Sequence, residues 1–316
     1  MKVIDLINSS KSTAFSFEIL PPLKGNSIQK VYNVIDKLIE FDPKYINITS
    51  HHSEYIYKTL PDGSFQKVNI RKRPGSVAIA SAIQNKYGIT AVPHIICKGF
   101  TKDETEYALI DLNFLGVYDL LLLRGDVKTL EAGQKTDIYH EHATDLQQQV
   151  NDFNKGIAID GSVFEANETP FSYGMACYPE KHEEAPNMES DIFYLKEKVK
   201  NGADYLVTQM FFDNEKYYAF VDRCRAEGIT VPIIPGIKPI VFKNQLTVLP
   251  KIFRSDIPEP FATELRKCKT DDEAKAVSVE WCIQQCKDLI AHGVPSLHFY
   301  TMMASDSVYK VAKEVY

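Results

Sequence analysis

Short apolar segments recur along the chain and alternate with segments of helical period. They are rich in aromatic and β-branched residues, which is typical of buried strands. The segments are "TAFSFEIL" (13–20), "YINITS" (45–50), "TAVPHIIC" (90–97), "DLLLLRGD" (119–126), "FSYGMACY" (171–178), "YLVTQMFF" (205–212), "PIIPGI" (232–237) and "SLHFYT" (296–301). The pattern therefore predicts eight strands.

The segments between the strands carry helix signals. In "MESDIFYLKEKVKNGADY", four apolar residues fall at spacings of four, three and four, and a glycine follows as a stop. These residues are Met188, Ile192, Leu195, Val199 and Gly202. Before "DLLLLRGD", Thr101 and Glu104 have the spacing of a capping box, and Leu109, Leu112 and Leu115 follow at helical spacing.

Strands that alternate with helices predict a parallel sheet, because parallel neighbours need a long crossover connection. Eight such units predict an α/β fold of the (β/α)8 TIM barrel type, as a single domain over residues 1–316. A doubly wound open sheet is the alternative, but no G-x-G-x-x-G follows any of the strands. The longer segments 51–73, 127–143 and 239–279 are interpreted as insertions.

Composition and charge narrow the kind of partner. The 316 residues are 44% hydrophobic and 25% charged, which matches a globular protein with an ample core. A net charge of −6 argues against a nucleic-acid surface and favours a small-molecule partner. No apolar run has the length of a signal peptide core or a membrane span, so we expect no membrane association and a cytoplasmic location. The six cysteines include no C-x-x-C pair, and we expect them to be reduced.

Polar residues lie at the carboxyl ends of the predicted strands, where the active site of a barrel is built. They are Glu18, Thr49, His94, Arg124, Gly125, Asp126, Tyr178 and Gln209. Taken singly, each has an ordinary structural explanation: Arg124 and Asp126 could pair with each other, and "YPEKHEEAP" could be a solvated charge run. Glu18 is the most informative, because a buried carboxylate without a partner is costly, so it either faces solvent or is held for chemistry.

Several longer segments carry a family resemblance. "FSFEILPP", "PHIIC", "LLLRGD", "ACYPEKHEEAPNMESDIFYLKEKVKNGADYLVTQMFFD", "IIPGIKPI" and "LHFYT" resemble the methylenetetrahydrofolate reductase family, in order and over nearly the whole chain. The chain resembles the compact bacterial form, without the carboxyl-terminal regulatory extension of the eukaryotic enzymes. The segment that ends in "TQMFFD" is the most specific part of the match.

The resemblance implies a barrel that holds FAD non-covalently and serves one-carbon metabolism and methionine biosynthesis. It would reduce 5,10-methylenetetrahydrofolate to 5-methyltetrahydrofolate with NADH or NADPH, by ping-pong transfer of a hydride. The family resemblance also implies a homo-oligomer. By resemblance, Glu18 is the catalytic acid and Asp126 is the aspartate near the flavin and the pterin.

The resemblance also assigns binding residues. Thr49, Asp126, Gln209 and Gln245 match positions that bind the nicotinamide or the folate. The positions that match FAD contacts are His94, Arg124, Gly125, Asp126, Ala143, Tyr178, His182, Ala185, Asp191 and Lys198. Arg124 and Lys198 offer the cations that a pyrophosphate requires, and one helix could present Asp191, Tyr194 and Lys198 together.

Three residues depart from the family pattern. Glu197 and Ala304 stand where arginines are common, and Ser50 replaces a tyrosine beside the flavin. These departures leave open a non-catalytic barrel that binds flavin or folate. A metal-dependent hydrolase is a further alternative, although its candidate ligands lack the H-x-H or H-E-x-x-H spacing. Those ligands would be His51, His52, His94, His182 and Asp126.

Overall fold

The computed structural model describes residues 1–51, 54–98, 100–125, 138–302 and 304–316. Its strands are β1 (Ala14–Ile19), β2 (Tyr45–Ile48), β3 (Glu54–Thr59), β4 (Phe65–Ile70), β5 (Thr90–Ile96), β6 (Asp119–Leu123), β7 (Ser172–Cys177), β8 (Tyr205–Thr208), β9 (Ile233–Ile234), β10 (Gly236–Ile237) and β11 (Ser296–Tyr300). Nine of these strands form one parallel sheet in the order β10-β11-β1-β2-β5-β6-β7-β8-β9. All eight predicted strand segments are therefore confirmed within the described ranges.

The sheet closes through β9 and β10, which are two halves of one short strand on either side of Pro235. The first half pairs with β8, where Leu206 lies opposite Ile233, and the second half pairs with β11, where Gly236 lies opposite His298. The two ends of the sheet thus meet in a single stretch of chain. This closure confirms the (β/α)8 barrel and excludes the doubly wound open sheet.

Helices follow the barrel strands and cover the sheet from outside. They are α1 (Val3–Ser9), α2 (Gln29–Leu38), α3 (Ser76–Tyr87), α4 (Lys102–Phe114), α5 (Ala143–Asn154), α6 (Met188–Lys200), α7 (Asn214–Ala226), α8 (Gln245–Phe253), α9 (Glu259–Lys267), α10 (Asp271–Ala291) and α11 (Ser305–Val315). Both predicted helix signals are confirmed. The Thr101 hydroxyl accepts the Glu104 backbone N–H at 3.1 Å and begins α4, and α6 buries Ile192 and Leu195. Leu115 differs from its prediction, because it lies beyond the last turn of α4 and is 40% exposed.

The alternation of side chains along β1 explains why its glutamate lies inside the barrel. Phe15, Phe17 and Ile19 belong to the large core cluster that the sheet forms with α2. Their neighbours Ser16 and Glu18 therefore face the opposite side, which is the barrel interior. All six residues of the strand are buried, so both of its faces are covered, as expected for a barrel strand.

Helix α1 packs against the amino-terminal end of the barrel. Val3 and Ile7 join a cluster of interior side chains that comes from several strands, among them Tyr45, Tyr205 and Ile234. The backbone N–H of Val3 donates to the Asp119 carboxylate at 2.8 Å. This contact joins α1 to the first residue of β6. Helix α1 therefore covers the amino-terminal end of the barrel, and the mouth at the carboxyl ends of the strands remains available for a site.

The insertions have structure of their own. Segment 51–73 contains an antiparallel hairpin of β3 and β4, which the sequence interpretation missed although Pro61, Asp62 and Gly63 give a turn signal between two strand-like runs. Segment 239–279 contributes α8, α9 and the start of α10, which share a small core with residues after β8. Much of segment 127–143 lies outside the described residues.

Within the described ranges, no helix combines the length and the apolar character that crossing a bilayer would require.

Candidate active site at the barrel mouth

Glu18 and His94 meet inside the barrel near its carboxyl-terminal mouth. One comes from β1 and the other from β5, with β2 between them in the sheet. The Nε2 atom of His94 lies 3.7 Å from the Glu18 carboxylate, and the two side chains are 4% and 8% exposed. The structure thus brings these two side chains together, as the sequence predicted.

His94 is held as a neutral imidazole. Burial, with smaller contributions from His298 and His51, lowers the pKa of His94 to about 3. Its Nε2 atom has no hydrogen-bond partner in the described structure. A neutral ring cannot neutralise a carboxylate, but its free nitrogen can bind a ligand that enters the mouth.

The sheet register places a row of polar residues beside Glu18. Asn47 on β2 lies opposite Glu18 on one side, and Tyr300 on β11 lies opposite it on the other. Asn47 is fully buried, and neither polar atom of its amide has a partner among the described residues. An unpaired buried amide costs about 1 to 3 kcal/mol, so the interior beside Glu18 is built for a polar occupant.

Arg124 and Gly125 follow β6. The Arg124 guanidinium pairs with the Glu184 carboxylate. Asp126, the partner suggested from the sequence, lies outside the described residues. Arg124 holds the pKa of Glu184 below its ordinary value by this hydrogen bond. The Nε atom of Arg124 is buried and has no partner in the described structure.

Gly125 adopts a conformation that other residues rarely take. Its φ is +86°, and a Cβ atom there would lie 3.5 Å from the Ile96 Cβ and 3.6 Å from the Lys98 carbonyl oxygen. The space is adequate but the backbone is left-handed, so the turn after β6 requires glycine for conformational reasons.

The loop after β7 is ordered by its own side chains, so its interpretation as a solvated charge run is wrong. Lys181 Nζ donates to the carbonyl oxygens of His182 and Ala185, at 2.9 and 2.6 Å. The His182 backbone N–H donates to Asp191 at 2.7 Å, and the Tyr178 and His182 rings meet edge to face at 4.6 Å between centroids. The loop thereby brings four of the predicted residues together at one side of the mouth.

Helices α5 and α6 border the same side. Ala143 is the first residue of α5, and the Lys198 ammonium on α6 donates to the Ala176 carbonyl oxygen at 3.0 Å. Burial lowers the pKa of Lys198, and Asp191 partly offsets this effect. Tyr194 does not share their surroundings, because it is 58% exposed and packs on Phe193.

The three predicted substrate-binding residues that the structure describes lie at the ends of different elements. The Thr49 hydroxyl is 3.1 Å from His51 Nε2, just after β2. Gln209 follows β8, and its side-chain oxygen accepts the Met210 N–H at 2.9 Å. The Gln245 side-chain oxygen accepts the backbone N–H groups of Val241 and Phe242, at 2.7 and 3.1 Å, so this end of its amide is already used.

The three departures from the family pattern have clear structural surroundings. Ser50 hydrogen bonds to Ser76 Oγ at 2.9 Å and to the His94 carbonyl oxygen, which joins β2 to β5 and α3. Ala304 is 4% exposed at the start of α11, so an arginine there would need rearrangement. Glu197 lies on the outer part of α6, 3.9 Å from the Lys200 ammonium.

The metal-site alternative receives no cluster of ligands from the described residues. Among them, no group of three or more histidine, cysteine, aspartate or glutamate side chains is placed to hold a metal ion. Two of the residues proposed as ligands, His52 and Asp126, lie outside the described ranges.

Two interior residues were missed from the sequence. Asn47 was hidden in "YINITS" as one polar residue in a short strand, and Lys238 in "PIIPGIKPI" follows a strand only two residues long. The alternation of inward and outward positions could have identified both, once the strands were aligned with β1.

The barrel is closed, and polar side chains from several strands lie at its mouth. This is the architecture of (β/α)8 barrel enzymes, which have their sites at the carboxyl ends of the strands. The family comparison is more specific. The model of the methylenetetrahydrofolate reductase family matches residues 2–316, and the chain belongs to this family.

Curated relatives agree with the family match. The 5,10-methylenetetrahydrofolate reductase of Escherichia coli is 30% identical over 94% of this chain and 88% of its own length. A probable methylenetetrahydrofolate reductase (NADPH) of Caenorhabditis elegans and methylenetetrahydrofolate reductase (NADH) 1 of Arabidopsis thaliana are each 30% identical over 99% and 97% of this chain. The chain spans only 43% and 49% of those two proteins.

A solved structure supports the fold alone. It is described as an uncharacterized protein from Clostridium thermocellum that binds two copies of 5-methyl-5,6,7,8-tetrahydrofolic acid. The two chains superpose with a TM-score of 0.57 at 15% identity, over 98% of this chain and 96% of the other.

Proposed function

We propose that this protein reduces 5,10-methylenetetrahydrofolate to 5-methyltetrahydrofolate, using FAD and a reduced nicotinamide. Membership of the reductase family supports the reaction class. The observation that carries the proposal is the buried Glu18 carboxylate, 3.7 Å from the unprotonated His94 ring at the barrel mouth. A carboxyl group in this position can act as an acid on a substrate that enters through the barrel mouth.

The residues at the mouth fit a flavin dinucleotide. His94 Nε2 and Arg124 Nε are buried polar atoms without partners in the described structure, and a bound ligand would satisfy them. Gly125 lets the backbone approach a ligand closely, and the cations of Arg124, Lys181 and Lys198 lie on one side of the mouth, where a pyrophosphate would need them. We propose that these residues hold FAD with His182, Ala185, Asp191, Tyr178 and Ala143, and that Asp126 contributes to the same site.

Bound FAD would supply hydride chemistry, taking a hydride from the nicotinamide and giving it to the folate in turn. The chain's own part concerns protons and orientation. The bridged substrate becomes electrophilic when its five-membered ring opens, which requires a proton on the departing nitrogen. Glu18 would take up a proton from solvent and donate it to that nitrogen, because a carboxyl group at the barrel mouth can serve as a general acid. Thr49, Gln209 and Gln245 would orient the nicotinamide and the folate.

The protonation state of His94 is consistent with Glu18 as the acid. With its pKa near 3 it is a neutral imidazole at neutral pH, and the N–H that it keeps is too weak an acid to compete with Glu18. Its unpartnered Nε2 instead offers a neutral polar contact to the flavin. The Glu18 proton is replaced from solvent after each turnover.

We test the proposal with the purified holoprotein under anaerobic conditions. Its flavin absorbance should be lost on addition of NADH or NADPH and should return on addition of methylenetetrahydrofolate, with 5-methyltetrahydrofolate as product. A flavin that binds and is never reduced, or a reduced flavin that folate does not reoxidise, would instead support a non-catalytic binding barrel. A colourless protein with a bound metal ion would support the hydrolase alternative.

We also propose that the chain works in the cytoplasm as a homo-oligomer, as the family resemblance implies. Sedimentation equilibrium of the holoprotein should give a mass that is a multiple of 35.9 kDa. A single species of the monomer mass over the whole concentration range would contradict this part of the proposal.

A further inference from the structure

Lys238 is a buried cation on the interior side of the barrel. It directly follows β10, in which Gly236 and Ile237 pair with His298 and Phe299 of β11. Ile237 belongs to the core that the sheet shares with the helices, so its neighbours Gly236 and Lys238 face the interior. Lys238 is only 4% exposed, which is unusual for a lysine.

The register brings Lys238 into the same row as Glu18. Glu18 lies opposite Tyr300, and one step beyond Ile237 and Phe299 the register sets Lys238 beside Tyr300 on the other edge of β11. All three side chains therefore face the interior at one level, with β11 between the acid and the cation.

Two observations locate the Tyr300 ring relative to Glu18 and Lys238. A Cβ atom on Gly236 would lie 2.5 Å from the ring's Cε2 and 2.8 Å from its hydroxyl, so the ring occupies the space above Gly236. The hydroxyl donates to the Thr208 carbonyl oxygen of β8 at 2.6 Å. The Tyr300 side chain is therefore held toward Gly236 and β8, on the side of β11 away from Glu18.

Each element next to Glu18 contributes a distinct group. Asn47 on β2 has no charge, His94 on β5 is neutral, and Tyr300 on β11 stays protonated because burial and the Glu18 charge raise its pKa. His298 is one layer lower, and burial lowers its pKa to about 3; His51 lies beyond β2 near Thr49. Among the described residues, Lys238 adds a cation beside this row: burial lowers its pKa, and the charge of Glu18, with a smaller effect of the Cys282 thiol on α10, opposes that effect.

We propose that Lys238 is a positioning residue that governs when Glu18 carries a proton. Its ammonium stabilises the carboxylate form of Glu18 between turnovers. Protonation of Glu18 from solvent and donation of that proton to the departing folate nitrogen then become the pH-sensitive part of the folate reaction. This inference rests on the proposed function, and it goes beyond that function by assigning Lys238 a role in its pH range.

The first test uses Lys238→Met, which removes the charge and keeps a chain of similar bulk. The rate of flavin reoxidation by methylenetetrahydrofolate, measured by stopped flow from pH 5 to 9, should fall at high pH as Glu18 ionises. A cation nearby shifts the pKa of a carboxyl group by roughly 1 to 3 units, so the fall in Lys238→Met should move to higher pH by about that amount. Above the wild-type midpoint, the variant should therefore reoxidise up to about tenfold faster per unit of that shift.

Two variants control this experiment. Lys238→Arg keeps the cation and should keep the wild-type midpoint, while Lys287→Met removes an exposed lysine from α10 and should change neither midpoint nor rate. Flavin reduction by NADH requires no proton from Glu18 and should be independent of Lys238. A midpoint that stays the same in Lys238→Met, or moves to lower pH, overturns the proposal.

An infrared titration gives a second readout that needs no turnover. The protonated-carboxyl band that is present in the wild type and lost in Glu18→Gln reports on Glu18 directly. It should be absent at pH 7 in the wild type and appear on acidification, and in Lys238→Met it should persist to higher pH. A Glu18 band that is already present at pH 7 in the wild type overturns the inference. If the wild type fails to reduce folate at all, the proposed function fails, and this titration still tests the pair.

Discussion

His94 Nε2 lies 3.7 Å from the Glu18 carboxylate, and burial keeps the imidazole neutral at physiological pH. The contact is therefore a neutral ring beside an acid, and it is no ion pair at neutral pH. This arrangement separates two requirements of the proposed reaction, because Glu18 can take up and give a proton while His94 offers a fixed polar contact.

Glu18→Gln tests the acid. The amide keeps the size of the side chain and cannot donate a proton with the acidity of a carboxyl group. We expect bound FAD and flavin reduction by NADH to remain, and folate reduction to fall by two or more orders of magnitude, which is the typical contribution of a general acid. Stopped-flow measurement of the two half-reactions decides the matter.

The two half-reactions also serve as each other's control. An equal loss in both would make Glu18 a structural residue. Full activity in both would mean that the acid lies elsewhere in the mouth.

The order of substrate binding provides a second prediction. If nicotinamide and folate occupy one site in turn, initial rates over a full grid of both substrates should give parallel double-reciprocal lines. Thr49 and Gln209 both directly follow carboxyl ends of barrel strands, β2 and β8, which is the structural reason for this expectation. Lines that intersect to the left of the axis would indicate a ternary complex and two separate sites.

Gly125→Ala tests the turn after β6. A non-glycine residue in the left-handed region costs roughly 1 to 2 kcal/mol, so urea unfolding should show a loss of about that size. Gly161→Ala is a matched control, because its φ is +83° and no atom lies within 4 Å of the added Cβ. Both variants should lose similar stability, but only Gly125→Ala should lose flavin. Equal flavin content in the two purified variants would remove Gly125 from the proposed cofactor site.

The strands and helices could be predicted because their signals are local. The strand that carries Glu18 followed from the run of aromatic and β-branched residues in "TAFSFEIL", and the capping box at Thr101 needs only four consecutive residues. These features depend on spacing within one element, which a single sequence displays directly.

The features that could not be predicted from the sequence depend on contacts between distant parts of the chain. Arg124 pairs with Glu184, 60 residues away, although Asp126 is its nearer acidic neighbour in sequence. The register that brings Lys238 into the row of Glu18 depends on a strand broken at Pro235, too short to carry a periodic pattern. The single-domain prediction, the role of Asp126 and the binding assignments stay predictions.

Asp119 provides a prediction about stability at the other end of the barrel. It is 4% exposed, and its carboxylate accepts the Val3 N–H at 2.8 Å, which ties α1 across the barrel's amino-terminal end. Burial raises the pKa of Asp119 from 3.8 to about 6, although the Val3 hydrogen bond opposes the shift. The folded protein therefore holds this proton at pH values where the unfolded chain has released it.

The sign of the pH effect follows from proton binding. Between about pH 4 and pH 6 the unfolded state binds fewer protons at this residue, so its contribution to the free energy of unfolding falls as the pH rises and stays low above pH 6. Asp119→Asn keeps an oxygen that can accept the Val3 N–H and has no charge to desolvate. At pH 7.5 we expect the variant to be more stable than the wild type by about 1 to 3 kcal/mol, and at pH 4 this advantage should vanish. Urea unfolding of both holoproteins at the two pH values measures it, and an advantage of equal size at both would show that the effect comes from packing and not from the buried charge.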